Sequence, residues 1–281
     1  HAIMSHYYLD DWQYFDHVCS ILQLNQPHIL QVIRSLGWII NLPKSHLDIS
    51  QVSIYIGSHY NLQQGLVYPT QKRWDKIQLA LQLFLSLRGT SASAWSGLLG
   101  LLTSVQELVP LGRLMVRDLQ FHVNQHWVHR HNLFKWIPIT QECLDIFHRW
   151  LNPEHVMCGV DLHYPPPQHI LFTDSSNLGF GAVLGDLHMA GTWSPQDQGQ
   201  HINWLEMACV REALFHWEDL LVNSSVLVAS DNTTVICHIN RSSGTHSRSL
   251  HLLTKEILLW AHAQGIFLRS RHIPGRLNVL A

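Results

Sequence analysis

The chain is poor in charge. Asp, Glu, Lys and Arg make up 14% of its 281 residues, against roughly 25% in an ordinary soluble domain. That excludes a highly charged, disordered tail. The charge is also nearly balanced, with 18 Lys and Arg against 20 Asp and Glu, so the chain as a whole is no basic glove for nucleic acid. Cysteine is scarce: Cys19, Cys143, Cys158, Cys209 and Cys237 are widely spread and no two are spaced as CxxC. This argues against a disulfide framework or zinc ribbon and for a reducing, intracellular setting, nucleus or cytoplasm. No long apolar run is present. Residues 89–106 carry no charge, but Ser, Thr and Gly interrupt them, so a buried helix is expected and no membrane partner. No signal peptide is visible, and a first residue His1 instead of Met reads as a fragment.

What is present is a hydrophobic fraction of 46%, and the length suits about two domains. Histidine is abundant, but His126, His129 and His131 have no Cys or carboxylate at ligand spacing and read as a surface cluster. Charge is uneven. From Arg241 onward six basic residues meet the single acid Glu256, and such an end can meet phosphate.

Residues 1–16 read as two strands around a polar turn at Tyr8-Leu9-Asp10-Asp11. Residues 17–36 show helical spacing, with Pro27 expected to break the helix or start a second one and Gly37 to end it. Trp38–Asn41 and Val52–Ile56 are expected strands. From Thr70 to about Leu151 the pattern is helical, with one apolar stripe through Trp74, Ile77, Leu81 and Phe84 and another through Trp95, Leu98, Leu99 and Leu102. Tyr164-Pro165-Pro166-Pro167 is the clearest linker. After it come three strands, a helix over Ile202–Leu221, a strand at Val226–Ser230, two helices and a last strand at Ile266–His272. This order predicts an α/β (α+β) domain with a five-stranded mixed sheet.

Asp174 and Asp231 each follow an apolar strand. If those strands are parallel neighbours, both carboxylates sit at the sheet end where open α/β sheets place ligands. Glu206 lies in the middle of an apolar stripe through Ile202, Cys209, Val210, Ala213 and Trp217. A lone carboxylate there costs several kcal/mol unless paired or metal-bound. Three converging acids suit Mg²⁺, which prefers oxygen ligands, and their oxygens are expected within roughly 4–8 Å of one another. Each residue also has a purely structural reading: Glu206 in a capping box with Asn203, Asp231 as a helix cap, Asp174 in an Asx turn.

Seven sequence blocks carry a resemblance. Phe172-Thr173-Asp174-Ser175-Ser176 with Gly179-Phe180-Gly181-Ala182, Asn203-Trp204-Leu205-Glu206, Ser230-Asp231-Asn232-Thr233-Thr234 and the block beginning His272-Ile273-Pro274-Gly275-Arg276 resemble a retroelement ribonuclease H domain. Tyr8-Leu9-Asp10-Asp11 resembles the YxDD motif of reverse transcriptases. Gly37, Asn41 and Lys44 resemble the next palm motif, and Tyr55-Ile56-Gly57 the primer-grip hairpin. The wording of Trp193-Ser194-Pro195, Asp231-Asn232-Thr233-Thr234 and His272-Ile273-Pro274-Gly275 is nearest to the DIRS-like group of tyrosine-recombinase retrotransposons.

The resemblance implies three regions: 1–68 the C-terminal half of the polymerase palm, 69–163 a helical thumb and connection, 164–281 a ribonuclease H-like domain. It implies metal-dependent hydrolysis of RNA in RNA–DNA hybrids, with two Mg²⁺ or Mn²⁺ ions held by Asp174, Glu206 and Asp231. It places His272 near the scissile phosphate or product. It makes Asp10 and Asp11 metal-binding polymerase carboxylates, and puts Lys44 near the incoming nucleotide's phosphates. Arg241, Arg248, Arg269 and Arg271 are expected to meet the hybrid's backbone. Fingers and the first half of the palm would come from the same polyprotein, and in the family an Asp, the fourth site carboxylate, follows the position of Ala281. Two other readings stay open: a catalytically dead or domesticated retroelement fragment that at most binds nucleic acid, and an integrase or transposase, whose acidic triad is spaced differently.

Overall fold

The computed structural model describes residues 4–278. Val279, Leu280 and Ala281, at the end of the last sequence block, lie outside the described residues. The chain opens with a hairpin of β1 (Met4–Tyr8) and β2 (Asp11–Phe15), in register from Met4↔Phe15 to Tyr8↔Asp11. α1 (Cys19–Ser35) follows as one helix with Pro27 inside it. The expected break does not occur. In the turn before it, the Asn25 side-chain amide donates to the Ile21 carbonyl at 2.8 Å. The expected strand at Trp38–Asn41 is absent: these residues are irregular and lead into a 3-10 turn, Leu42–Lys44, built around Pro43. β3 (Val52–Tyr55), β4 (Ser58–Asn61) and β5 (Leu66–Pro69) then form an antiparallel meander.

The middle of the chain is α2 (Gln71–Leu85), β6 (Gly89–Ser91), α3 (Ala92–Thr103), α4 (Gly112–His126), β7 (Trp136–Pro138), α5 (Gln141–Leu151), α6 (Pro153–Val156) and β8 (Val160–Asp161). The two stripes seen in the sequence meet here. Ile77, Leu81, Phe84, Trp95, Leu98 and Leu102 share one core with Phe147 and Trp150 of α5. Phe84 stands edge-on to Trp95 and Phe147, with ring centroids 5.2 and 5.9 Å apart, the geometry that the ring quadrupoles favour. The region is not wholly helical. β6 pairs with β7, and β8 pairs back onto β5, so the meander and the helical core are joined through one sheet. Strands of two and three residues are too short to leave a periodic signal.

Beyond the proline linker come β9 (His169–Ser175), β10 (Gly179–Leu184), β11 (Leu187–Thr192), α7 (Ile202–His216), α8 (Glu218–Leu221), β12 (Ser225–Ser230), α9 (Thr233–Asn240), α10 (Arg248–Ala263) and β13 (Phe267–His272). The sheet order is β11-β10-β9-β12-β13. β12 runs parallel to both neighbours, and β9, β10 and β11 are antiparallel. This is the expected five-stranded mixed sheet. β12 is Ser-Val-Leu-Val-Ala-Ser and nearly all buried, as an inner parallel strand must be. The edge strand β11 is mostly exposed. α7 buries Leu205, Met207, Ala208, Cys209, Val210, Ala213 and Leu214, because it lies between the sheet and α10. It stops at His216 instead of running on to Leu221, with Trp217 between it and α8.

The middle region docks on this domain through Asp118 of α4. His251 Nε2 of α10 lies 2.7 Å from Asp118 Oδ1, and Lys255 Nζ donates to Oδ2 at 2.6 Å. Nδ1 of His251 faces the Ser243 hydroxyl at 2.7 Å. Burial pushes the Asp118 carboxyl up, but the bonds from His251 and Lys255 outweigh it and hold it below the usual carboxylate range. The native state therefore releases this proton more readily than the unfolded chain. The contribution is fully present above the ordinary carboxylate pKa and lost as pH falls through the depressed native value. Asp118→Asn, which keeps the size and removes the charge, is expected to cost about 2–4 kcal/mol in denaturant unfolding at pH 7. That difference should shrink in acid, and an equal loss at pH 7 and in strong acid would show that the charge is not what holds the docking.

Candidate active site

Asp174 is the next-to-last residue of β9, and Asp231 directly follows β12. The parallel register pairs Phe172 with Ala229, so two residues further on the two carboxylates stand level at one end of the sheet. Glu206 comes from the second turn of α7, which packs on β9 and β10. One oxygen of each lies within 4.8 Å of the others, inside the range expected from the sequence. Among the described residues this is the only group of three His, Cys, Asp or Glu side chains placed to hold a metal ion. The histidine cluster at 126–131 forms no such group.

The structural readings of these residues do not account for the site. The N-cap of α7 is His201, whose Nδ1 accepts the Asn203 N–H at 3.1 Å, so Glu206 is not the third residue of a box capped by Asn203. Asn232 caps α9, its Oδ1 accepting from the N–H groups of Thr234 and Val235 at 2.9 and 3.2 Å, which leaves Asp231 free. Asp174 Oδ1 does accept a local bond, from the Ser175 N–H at 3.0 Å. Nδ2 of Asn232 donates to Oδ1 of Asn203 at 3.0 Å, tying the starts of α7 and α9 together and fixing Glu206 relative to Asp231.

Residues after β13 close over the acids. A Cβ at Gly275 would come within 2.6 Å of Asp231 Oδ2, so a larger residue there would displace that carboxylate oxygen. Asn278 is buried and donates from Nδ2 to the Thr173 carbonyl at 3.0 Å, one residue before Asp174. Asn203, Asn232, Gly275 and Asn278 all stand inside the sequence blocks, but their bracing depends on side-chain directions that spacing does not encode.

The electrostatics mark the site as short of positive charge. Glu206 is 4% exposed, and its Oε2 has no hydrogen-bond partner. Burial, then the charges of Asp174 and Asp231, push its carboxyl up to about 8. Burial and Asp231 raise Asp174 as well, against the Ser175 N–H. An orphaned buried carboxylate oxygen beside two more carboxylates fits a hard divalent cation with oxygen ligands.

The other sequence-predicted residues are dispersed. His272 ends β13 opposite Ser230 and is exposed, at the same sheet end as Asp231. Arg248 and Arg271 are exposed. Arg269 Nη2 donates to the Pro165 carbonyl at 2.8 Å, and its guanidinium lies over Tyr164 and Phe267, so it holds the linker. Arg241 lines a cavity of about 420 Å³ with Thr233, Thr234, His238 and Arg117. Arg117 was not among the expected residues; it arrives from α4, and burial together with Arg113 and Arg241 lowers its pKa. Lys44 is exposed in its 3-10 turn. Asp10 and Asp11 are exposed at the β1–β2 turn, and among the described residues no third acid or histidine joins them.

Because native Glu206 keeps its proton to about pH 8 while the unfolded chain releases it in the ordinary carboxylate range, the metal-free protein should lose stability as pH rises between the two. The loss should be on the order of a few kcal/mol. Thermal unfolding in EDTA across this interval should show the slope. Glu206→Gln should flatten it, and added Mg²⁺ should restore stability at the alkaline end. A flat profile for the unmodified protein would contradict the assigned cause.

No protein-family model matches the chain, and no curated protein matches it. Among solved structures, it is similar to the foamy viral protease-reverse transcriptase in complex with double-stranded DNA, at 14% identity and TM-score 0.47, covering 95% of this chain and 54% of that one. The foamy viral enzyme in complex with RNA/DNA hybrid gives 13% identity and TM-score 0.45, covering 95% of this chain and 35% of that one. LC11-RNase H1 in complex with RNA/DNA hybrid gives 19% identity and TM-score 0.36, covering 41% of this chain and 91% of that one. The chain thus spans between 35% and 54% of the length of these foamy viral chains.

Proposed function

We propose that this chain is the C-terminal part of a retroelement reverse transcriptase, nearest the DIRS-like group, and that its last domain hydrolyses the RNA strand of RNA–DNA hybrids. The observation that carries the reading is the buried Glu206, one of whose oxygens has no partner, grouped with Asp174 and Asp231 so that one oxygen of each lies within 4.8 Å of the others. Burial of an unpartnered acid beside two more carboxylates makes its ionisation costly, and a bound cation would offset that cost. Asp174, Glu206 and Asp231 would hold two divalent ions, Mg²⁺ or Mn²⁺. Bound there, the ions supply water activation and stabilisation of the leaving oxygen in phosphodiester cleavage. The protein's own part is orientation: β9 and β12 fix the two aspartates, α7 drives Glu206 in from the side, and Gly275 and Asn278 keep the far wall in place. His272, exposed beside Ser230, faces outward to the scissile phosphate or the product. Arg241, with Arg117 and the hydroxyls of Thr233 and Thr234, offers a basic hollow to the hybrid's backbone, and Arg248 and Arg271 extend it.

The test is a labelled RNA–DNA duplex with single-stranded RNA as control. Asp174→Asn leaves the side chain nearly the same size and removes one negative charge, so cleavage should fall about a thousandfold while the protein stays folded. Equal cleavage by both proteins would remove the nuclease reading. Hybrid binding without cleavage by the unmodified protein, with either metal, would instead favour a decayed fragment.

The first hairpin leads to a different expectation. Polymerase chemistry needs more than the two exposed carboxylates of Asp10 and Asp11 to hold a metal pair, and the described residues bring no third to them. Residues 1–281 alone should therefore extend no primer. Incorporation of labelled nucleotide above that of an Asp10→Asn, Asp11→Asn double variant would overturn the assignment of this segment as half a palm.

A further inference from the structure

The connection between α4 and β7 takes no part in the acidic site. Between Asp118 and Glu142 there is no acidic residue, while Arg130, Lys135, His122, His126, His129 and His131 all fall there. The same stretch exposes large apolar side chains: Phe134 is 89% exposed and Trp136 57%. These aromatics are firmly mounted. The Ala92 N–H donates to the Lys135 carbonyl at 2.8 Å and the Ser93 N–H to the Leu133 carbonyl at 2.9 Å. The Phe134 N–H donates to Asn132 Oδ1 at 3.1 Å. The indole of Trp136 lies against Gly89, where a Cβ would stand 2.2 Å from the ring, so one side is held on the backbone and the rest is open to solvent. Trp127, by contrast, is buried, with the Arg130 guanidinium 4.8 Å over its ring.

Open aromatic faces on a fixed support, flanked by cations and free of carboxylates, have the chemistry that single-stranded nucleic acid requires. Bases stack on the rings, and phosphates meet the cations. A duplex offers no free base faces, and an apolar protein patch would not call for a stretch of one charge sign. We propose that residues 128–136 form a binding surface for single-stranded nucleic acid, with Phe134 and Trp136 stacking on bases and Arg130 and Lys135 contacting phosphates. α4, which leads into this segment, is the helix fixed to the last domain through Asp118, so the surface stands in a set position relative to the acidic cluster. The inference does not rest on cleavage, and its test uses a protein in which cleavage is disabled.

The full chain carrying Asp174→Asn, in EDTA, is titrated against a labelled 20-nucleotide oligothymidylate and a duplex of equal length, read by anisotropy and by quenching of tryptophan fluorescence. The single strand should bind more tightly. Phe134→Ala, at a position too exposed to affect folding, should weaken it about tenfold, and Trp136→Ala at least as much. Lys135→Ala should flatten the dependence of log affinity on log salt. Hybrid cleavage by a chain with Asp174 intact should be unchanged by Phe134→Ala, which keeps this inference separate from the nuclease reading. Unchanged oligonucleotide affinity in Phe134→Ala, or equal affinity for the duplex, would overturn it. So would Phe134-dependent capture by anionic lipid vesicles with no such dependence for the oligonucleotide, which would assign the loop to a membrane surface.

Discussion

The buried carboxylate of Glu206 is the constraint around which the last domain is arranged. Its neighbours Leu205, Met207, Ala208, Cys209 and Val210 are all buried, so α7 cannot turn Glu206 to solvent without exposing several of them. Leu205, Met207 and Val210 would each forfeit about 1.5–3 kcal/mol of apolar burial. The packing of the helix therefore forces the acid against the sheet end, and the parallel register of β9 and β12 brings Asp174 and Asp231 to meet it. Hydrophobic packing, which is indifferent to charge, here supplies the force that holds three carboxyl groups together.

That force alone does not fix the carboxylates to a fraction of an ångström. The finer placement comes from polar ties between segments far apart in sequence. Asn203 and Asn232 bond across the starts of two helices, and Asn278 bonds the carbonyl next to Asp174. Gly275 passes close beside Asp231 Oδ2. The domain is in turn held to the middle of the chain by the Asp118 ion pairs, so the basic hollow between Arg117 and Arg241 is composed from both.

Much of this was legible in the residues. An acid at the end of each of two apolar strands, and a third inside an apolar helical stripe, are patterns with few ways to be satisfied, and Asp174, Glu206 and Asp231 do converge. The order of strands and helices after the proline linker reads correctly because β12 is continuously apolar and the hairpin at Gly185-Asp186 is short. Other features were hidden. β4 and β5 have no clean alternation, and β8 is two residues whose partner lies almost a hundred positions earlier. Pro27 looks like a breaker because proline usually is, yet α1 continues through it. Arg117 gave no sign of facing Arg241, since nothing in sequence spacing reports which face of one helix meets another region.

The strand order also dictates a sequence of events during synthesis. Asp174 and Glu206 leave the ribosome before β12, the strand that completes the centre of their sheet, and Gly275 and Asn278 leave later still. β9 can pair at once with β10, its hairpin partner, but its other edge must wait for a parallel strand separated from it by the whole of α7. Such non-local closure is slow. A nascent chain therefore carries Asp174 and Glu206 before the strand that delivers Asp231 is made. The cluster comes together only once β12 has followed α7 and paired with β9.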